Sequence, residues 1–148
     1  MKNKKVMVSM LAVLGVATIS AQDINPQNVP SNIRTTFEQA YPNASDVEWE
    51  MEGQNYKVEF DVNWQDSEVW YSSDGSTVKT ETEIKKKDLP QAILATIDNQ
   101  YATYRVDSIE KTDQNGSVTF EVELEKGWDE EKQLLLDANG IVLNEWND

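Results

Sequence analysis

The chain has 148 residues, with 27 acids against 13 Lys and Arg and a formal net charge of −14. It holds no cysteine and no histidine, which excludes disulfides, thiolate or imidazole metal sites, thiol nucleophiles and a Ser-His-Asp triad. So acidic a chain does not suit nucleic acid, because nothing offsets phosphate repulsion, and its length fits one or two small domains.

The N-terminus reads as an export leader over residues 1–21. Lys2, Lys4 and Lys5 precede an apolar run, Val6 to Ile19, broken only by Ser9, Gly15 and Thr18. Small Ser20 and Ala21 suit cleavage after Ala21. The run is shorter than the roughly 20 apolar residues of a membrane span. Cleavage removes three lysines and no acid, leaving 127 residues and a charge of −17 from the −14 of the full chain. The product is expected in the periplasm or outside the cell, with no membrane association. Lacking disulfides, it must hold itself with a packed core.

Residues 22–28 read as a linker, and two repeats follow, over 29–84 and 89–148, joined by a second linker at 85–88. Val29-Pro30 recurs as Leu89-Pro90, and Ile33, Phe37 and Tyr41 recur as Ile93, Ile97 and Tyr101, all 60 positions later. Tyr56, Val58, Phe60 and Val62 match Val118, Phe120, Val122 and Leu124 at an offset of 62. Trp64 matches Trp128, and Val69 and Tyr71 match Leu134 and Leu136.

Each repeat opens with a short helix. Pro30 and Pro90 suit a first helical turn, and Asp88 suits the N-cap of the second helix. Ile33, Phe37 and Tyr41 line one face, and Pro42 ends the first helix. So short a helix must pack on something. Four strands then follow in each copy. In the first strand Asp46, Glu48, Glu50 and Glu52 alternate with Val47, Trp49 and Met51. The second strand runs from Tyr56 to Val62, or Val118 to Leu124. The third carries Val69 and Tyr71, or Leu134 and Leu136. Ser73-Asp74-Gly75 and Ala138-Asn139-Gly140 are turn signals leading into the fourth, Thr77 to Ile84 or Ile141 to Trp146. The first strand of the second copy, near Val106 to Thr112, alternates poorly. The fold class is α+β: tandem repeats of a helix plus a four-stranded antiparallel sheet, each with one open face. Whether the two sheets join edge to edge is left open.

The Val-Pro or Leu-Pro helix start, Tyr41-Pro42, Val47-Glu48-Trp49, Tyr56-Lys57-Val58-Glu59-Phe60 and the stretch from Leu134 to Leu143 together resemble the PepSY-like domains of exported bacterial proteins. The tandem architecture is similar to that of the beta-lactamase inhibitory protein, although this chain lacks that protein's disulfides. The resemblance implies an exported binding or inhibitory module whose sheet face and protruding hairpins clasp a partner protein.

The acids of the first strand are the densest carboxylate row, and they can face a basic partner or simply keep a solvated sheet soluble. Asp113 to Gly116 and Asp137 to Gly140 read as turns rather than calcium loops, because strands flank them. No phosphate-binding glycine motif is present, and an enzyme is not expected. Trp49 shares parity with Val47 and Met51 and belongs to the core. Trp64 and Trp128 fall outside the alternation, in equivalent hairpins. Trp70 has the opposite parity to Val69 and Tyr71 and should face the open side, as should its counterpart Leu135. Large apolar groups on a polar face mark interaction surfaces. By analogy with the inhibitor, the expected contact residues are Trp64, Asp66, Trp70, Trp128 and Asp129. The reading is a monomeric, non-enzymatic exported protein without a cofactor that binds an exported protein or peptide with a basic surface. The alternative is an envelope protein that binds a small ligand or a divalent cation.

Overall fold

The computed structural model describes residues 21–147; the expected leader lies outside the described residues except for Ala21. In chain order come β1 (Gln22–Asp23), α1 (Ser31–Ala40), β2 (Ser45–Glu52), β3 (Asn55–Val62), β4 (Gln65–Tyr71) and β5 (Thr77–Glu83). They are followed by α2 (Gln91–Gln100), β6 (Arg105–Gln114), β7 (Ser117–Lys126), β8 (Glu130–Asp137) and β9 (Val142–Asn147). The nine strands form one antiparallel sheet in sequence order.

The two helices start alike. Pro30 and Pro90 hold the capping position at φ −52° and −54°, and the helix follows at the next residue. Asp88 is therefore not the cap. It closes a short 3-10 turn, Lys86–Asp88, with its N–H donated to the Lys85 carbonyl at 2.8 Å. The first helix stops where Pro42 requires, with the Tyr41 N–H closing on the Phe37 carbonyl at 2.8 Å.

Each helix buries its apolar stripe against its own four strands. Val29, Ile33 and Phe37 pack on Trp49, Val58, Phe60, Val69 and Tyr71. Phe37 meets the edges of Trp49 and Phe60 at centroid distances of 5.4 and 4.9 Å. In the second repeat Leu89, Ile93, Ile97 and Tyr101 pack on Ile109, Phe120, Val122, Leu124, Leu134 and Leu136. These are two separate cores under one sheet. The join is β5 on β6, paired from Lys79–Gln114 to Glu83–Glu110. On the helix side of that seam Thr80 and Thr82 stand opposite Asp113 and Lys111, and Ile84, just past β5, packs on the second core.

Pairing also corrects the repeat alignment. Tyr71 pairs with Tyr56 and Leu136 with Phe120. Val58 pairs with Trp49 and Val122 with Ile109. Tyr56 is thus equivalent to Phe120 and Val58 to Val122, an offset of 64 rather than 62, the same offset as Trp64 to Trp128. The cause is a longer β6–β7 hairpin, with strands of ten residues against eight in β2 and β3. A shift of two residues preserves which face each side chain takes.

Residues 22–28 do more than link. Gln22 and Asp23 pair with Met51 and Glu50, and the Ile24 N–H donates to the Trp49 carbonyl at 2.9 Å. They cover part of the outer edge of β2.

The β8–β9 turn docks on α2, where Thr96 Oγ1 donates to the Gly140 carbonyl at 2.7 Å. A Cβ on Gly140, at φ +79°, would lie 2.5 Å from the Ala92 carbonyl oxygen; one on Gly116, at φ +81°, would meet nothing within 4 Å. Gly116→Ala is therefore expected to cost about 1 kcal/mol of left-handed strain. Gly140→Ala adds overpacking and should cost about 3 kcal/mol. Urea unfolding of the two variants checks the order.

Candidate functional site

The antiparallel order sets which features share an edge of the sheet. The β3–β4 turn, the β5–α2 connection and the β7–β8 turn all leave the same rim. Trp64 and Trp128 occupy the two turns. Trp64 is the second residue of a two-residue turn in which Asn63 and Trp64 both have positive φ, +53° and +66°. Right-handed strand twist selects this mirror-image turn, which favours Asn-Gly. A tryptophan in the glycine position costs about 1–2 kcal/mol of backbone strain. Its side chain is 89% exposed. Trp128 sits after Gly127, at φ +69°, and is fully exposed. It borders a shallow recess with Arg105, Glu125 and Asp129. Four strand spacings of about 4.8 Å put the two hairpins roughly 19 Å apart along the rim.

Asp66 and Asp129 flank these tips. Asp66 is exposed at the start of β4, opposite Asp61. Asp129 is exposed beside Trp128. Four of the five expected contact residues thus gather on one rim.

Trp70 does not join them. It turns to the open side, away from Val69 and Tyr71, but is only 7% exposed. Its Nε1–H donates to Glu52 Oε2 at 2.5 Å, and the ammonium groups of Lys79 and Lys57 lie 4.2 and 5.3 Å from its ring centroid. The ammonium groups sit over the indole, and both lysine side chains are themselves largely buried, 13% and 21% exposed. Sequence parity places Trp70 on the correct face. It cannot show the cover, because Lys57 and Lys79 reach it across strands, in the register Lys57–Trp70–Lys79.

The same register lines up like charges. Glu48, Glu59, Glu68 and Glu81 stand opposite one another on four neighbouring strands. Glu83, Glu110 and Glu121 form a second row across the seam. Directly opposed like charges are destabilising. Lys57 offsets part of this, reaching Glu59 at 2.5 Å, Glu68 at 3.1 Å and Glu50 at 3.7 Å. Burial alone would lower its pKa, but the hydrogen bond to Glu59 and the charge of Glu68 outweigh it, and the pKa is raised. Burial pushes Glu68 and Glu50 upward despite Lys57. Burial likewise raises Glu121, helped by the charges of Glu123 and Glu81. In the second repeat the position of Trp70 is taken by Leu135, which lies between Glu121 and Asn144 where Trp70 has Lys57 and Lys79.

The acidic turns are turns. Asp113 Oδ1 accepts from the Gly116 N–H at 3.0 Å, and Asp137 Oδ1 accepts from the N–H groups of Asn139 and Ile141, both at 2.9 Å. The Ile141 bond holds the Asp137 pKa below the usual carboxylate range. Among the described residues no group of three or more carboxylates is set to hold a metal ion. None of the described helices is long and apolar enough to cross a membrane.

The architecture is α+β, two helices on one side of a nine-stranded antiparallel sheet. Residues 17–65 and 54–144 match the family described as putative beta-lactamase-inhibitor-like, PepSY-like, and the chain belongs to that family. Solved structures share the fold. A BLIP-like protein of Bacteroides fragilis is 26% identical, with 80% of this chain and 85% of that one covered and a TM-score of 0.63. A putative periplasmic protein of Bacteroides eggerthii is 20% identical, with 80% and 88% covered and a TM-score of 0.68. A DUF2874 family protein of Bacteroides uniformis is 20% identical at the same coverage, with a TM-score of 0.66. No curated protein matches the sequence.

A carboxyl whose folded pKa is raised weakens the fold when ionised. The penalty is full above the folded pKa and vanishes below the unfolded one. Glu121→Gln, which retains a partner for Gln133, is therefore expected to unfold at higher urea than the parent at about pH 7. The difference should close as the pH falls below about 4.

Proposed function

We propose that this chain is an exported, non-enzymatic module, periplasmic or secreted, that binds another exported protein or peptide. Contact runs through the tryptophan-bearing rim and the adjoining open sheet face. The observation that carries this reading is Trp64, 89% exposed and held at φ +66°. It pays for its position in both backbone strain and exposed apolar surface, and strain of this kind concentrates at functional sites. Trp128, equally placed in the second repeat, supports it. Tryptophan is an enriched anchor in protein interfaces. Asp66 and Asp129 supply acid beside each anchor. Trp70 acts from beneath, fixing Lys57 and Lys79 in an otherwise carboxylate-rich face.

The charge defines the partner as a protein or peptide with a basic surface, since the rows through Glu59 and Glu121 would repel an acidic one. The family's inhibitor-like character and the periplasmic description of one structural neighbour support both the mode of action and the compartment. Inhibition of the partner is the natural consequence of a clasp that covers its surface.

Crosslinking in the native envelope identifies the partner, and the variants then test the surface. Trp64→Ala and Trp128→Ala should each weaken binding by about 30-fold or more, corresponding to about 2 kcal/mol. Binding should also weaken as salt rises. Trp64→Gly separates function from fold: it should raise the unfolding midpoint while losing the partner. Undiminished binding in the double alanine variant would refute the rim.

A further inference from the structure

We propose a second interaction surface: the open edge of β9, which pairs with β9 of a second copy to extend the sheet through a twofold axis. The two edges of the sheet differ. The β2 edge is defended by β1, by an irregular register between Ser45 and Glu48, by Asp46 at φ +52° and by its row of acids. Short, irregular and charged edges resist strand addition. β9 is also short and irregular, but it has neither a covering strand among the described residues nor a row of acids. It is six residues long, with one register shift opposite Leu135 and Leu136, and it contains no lysine and no proline. None of the described strands lies outside it.

The exposed apolar residues point to the same edge. Among the described residues five large hydrophobic side chains are exposed: Trp64 and Trp128 at the hairpin tips, Val47 at 37%, and Ile141 and Leu143 at 58% and 52%. The last two lie at or beside the open strand. An unpaired row of backbone N–H and C=O groups flanked by exposed aliphatic side chains is a template for another strand.

Charge selects a second copy as the occupant. A chain of net charge −14 repels itself over most of its surface. On β9 the only acid in the strand is Glu145, whose carboxylate already accepts from Tyr101 Oη at 2.8 Å and from Lys132 Nζ at 2.7 Å. These contacts hold its pKa below the usual value, Lys132 contributing most. The strand is also self-complementary. A twofold axis through Asn144 sets Asn144 against its own copy and brings the bulged Leu143 toward the second copy's Glu145, so no acid faces an acid. A basic peptide from another protein would gain little on this strand, because it offers no free row of carboxylates.

The interface is one short ladder, well below the area of a tight complex, so a weak dimer follows. Sedimentation equilibrium of the purified protein from about 10 μM to about 1 mM should show monomer and dimer in exchange. The dimer should grow as salt rises, because screening relieves like-charge repulsion. That is the reverse of the salt dependence expected at the tryptophan rim. Leu143→Glu, an exposed change that spares the core and sets an acid against the second copy's Glu145, should weaken dimerisation by about tenfold or more. Asn144→Pro should abolish it, with circular dichroism confirming the fold. The Trp64→Ala, Trp128→Ala protein should dimerise like the parent. A monomer at every concentration and salt would overturn the proposal, as would a dimer that survives both β9 variants or one lost with the rim tryptophans.

Discussion

The pairing of β5 with β6 organises the rest of the molecule. Five residue pairs, from Lys79–Gln114 to Glu83–Glu110, join two repeats into one sheet. The bond is made by main chain, because the helix-side residues at the seam are Thr80, Thr82, Lys111 and Asp113. Backbone hydrogen bonds do not depend on side-chain packing, so two separate cores can share a sheet without merging. The same seam sets the functional geometry. It places the β3–β4 and β7–β8 turns on one rim and brings the two open faces into one surface.

That surface is an electrostatic compromise. Burial, and after it the charge of neighbouring carboxylates, raises the proton affinity of Glu50, Glu68 and Glu121. In the first repeat Lys57 and Lys79 are held over Trp70, so one aromatic ring organises two of the face's positive charges. The second repeat has Leu135 in that place and Glu121 where Lys57 would be. The repeats therefore share a fold and a rim but differ in the chemistry of their open faces. The first face carries lysines paired with Glu50, Glu59, Glu68 and Glu81, and the second a carboxylate beside an apolar centre.

The sequence is most legible where the physics is local. Proline before each helix, Ile and Phe four residues apart and alternating strands all follow from the chain's own geometry, and the structure contains each of them. Trp64 and Trp128 stand out of the alternation because they occupy turns. Where an expectation differs, two segments of chain have to be compared. The 62-residue offset between the second strands of the repeats is a case in point. Alternation has period two, so two extra residues on each strand of the β6–β7 hairpin leave every face assignment intact. Asp88 shows the same limit on a smaller scale, since a 3-10 turn before Pro90 competes with capping for the same residue.

By itself the sequence determined the helix and strand pattern, the repeat, the acidic outer face, the absence of thiol and imidazole chemistry and the two tryptophan hairpins. Each depends on residue type and spacing within a few positions. Only the tertiary structure decided that the sheets fuse, that Trp70 lies under two lysines, that the glutamates of neighbouring strands stand in rows and that one edge is covered while the other is open. These depend on cross-strand register, which is set by hairpin length and by pairing between distant segments, and a pattern of period two carries no record of it.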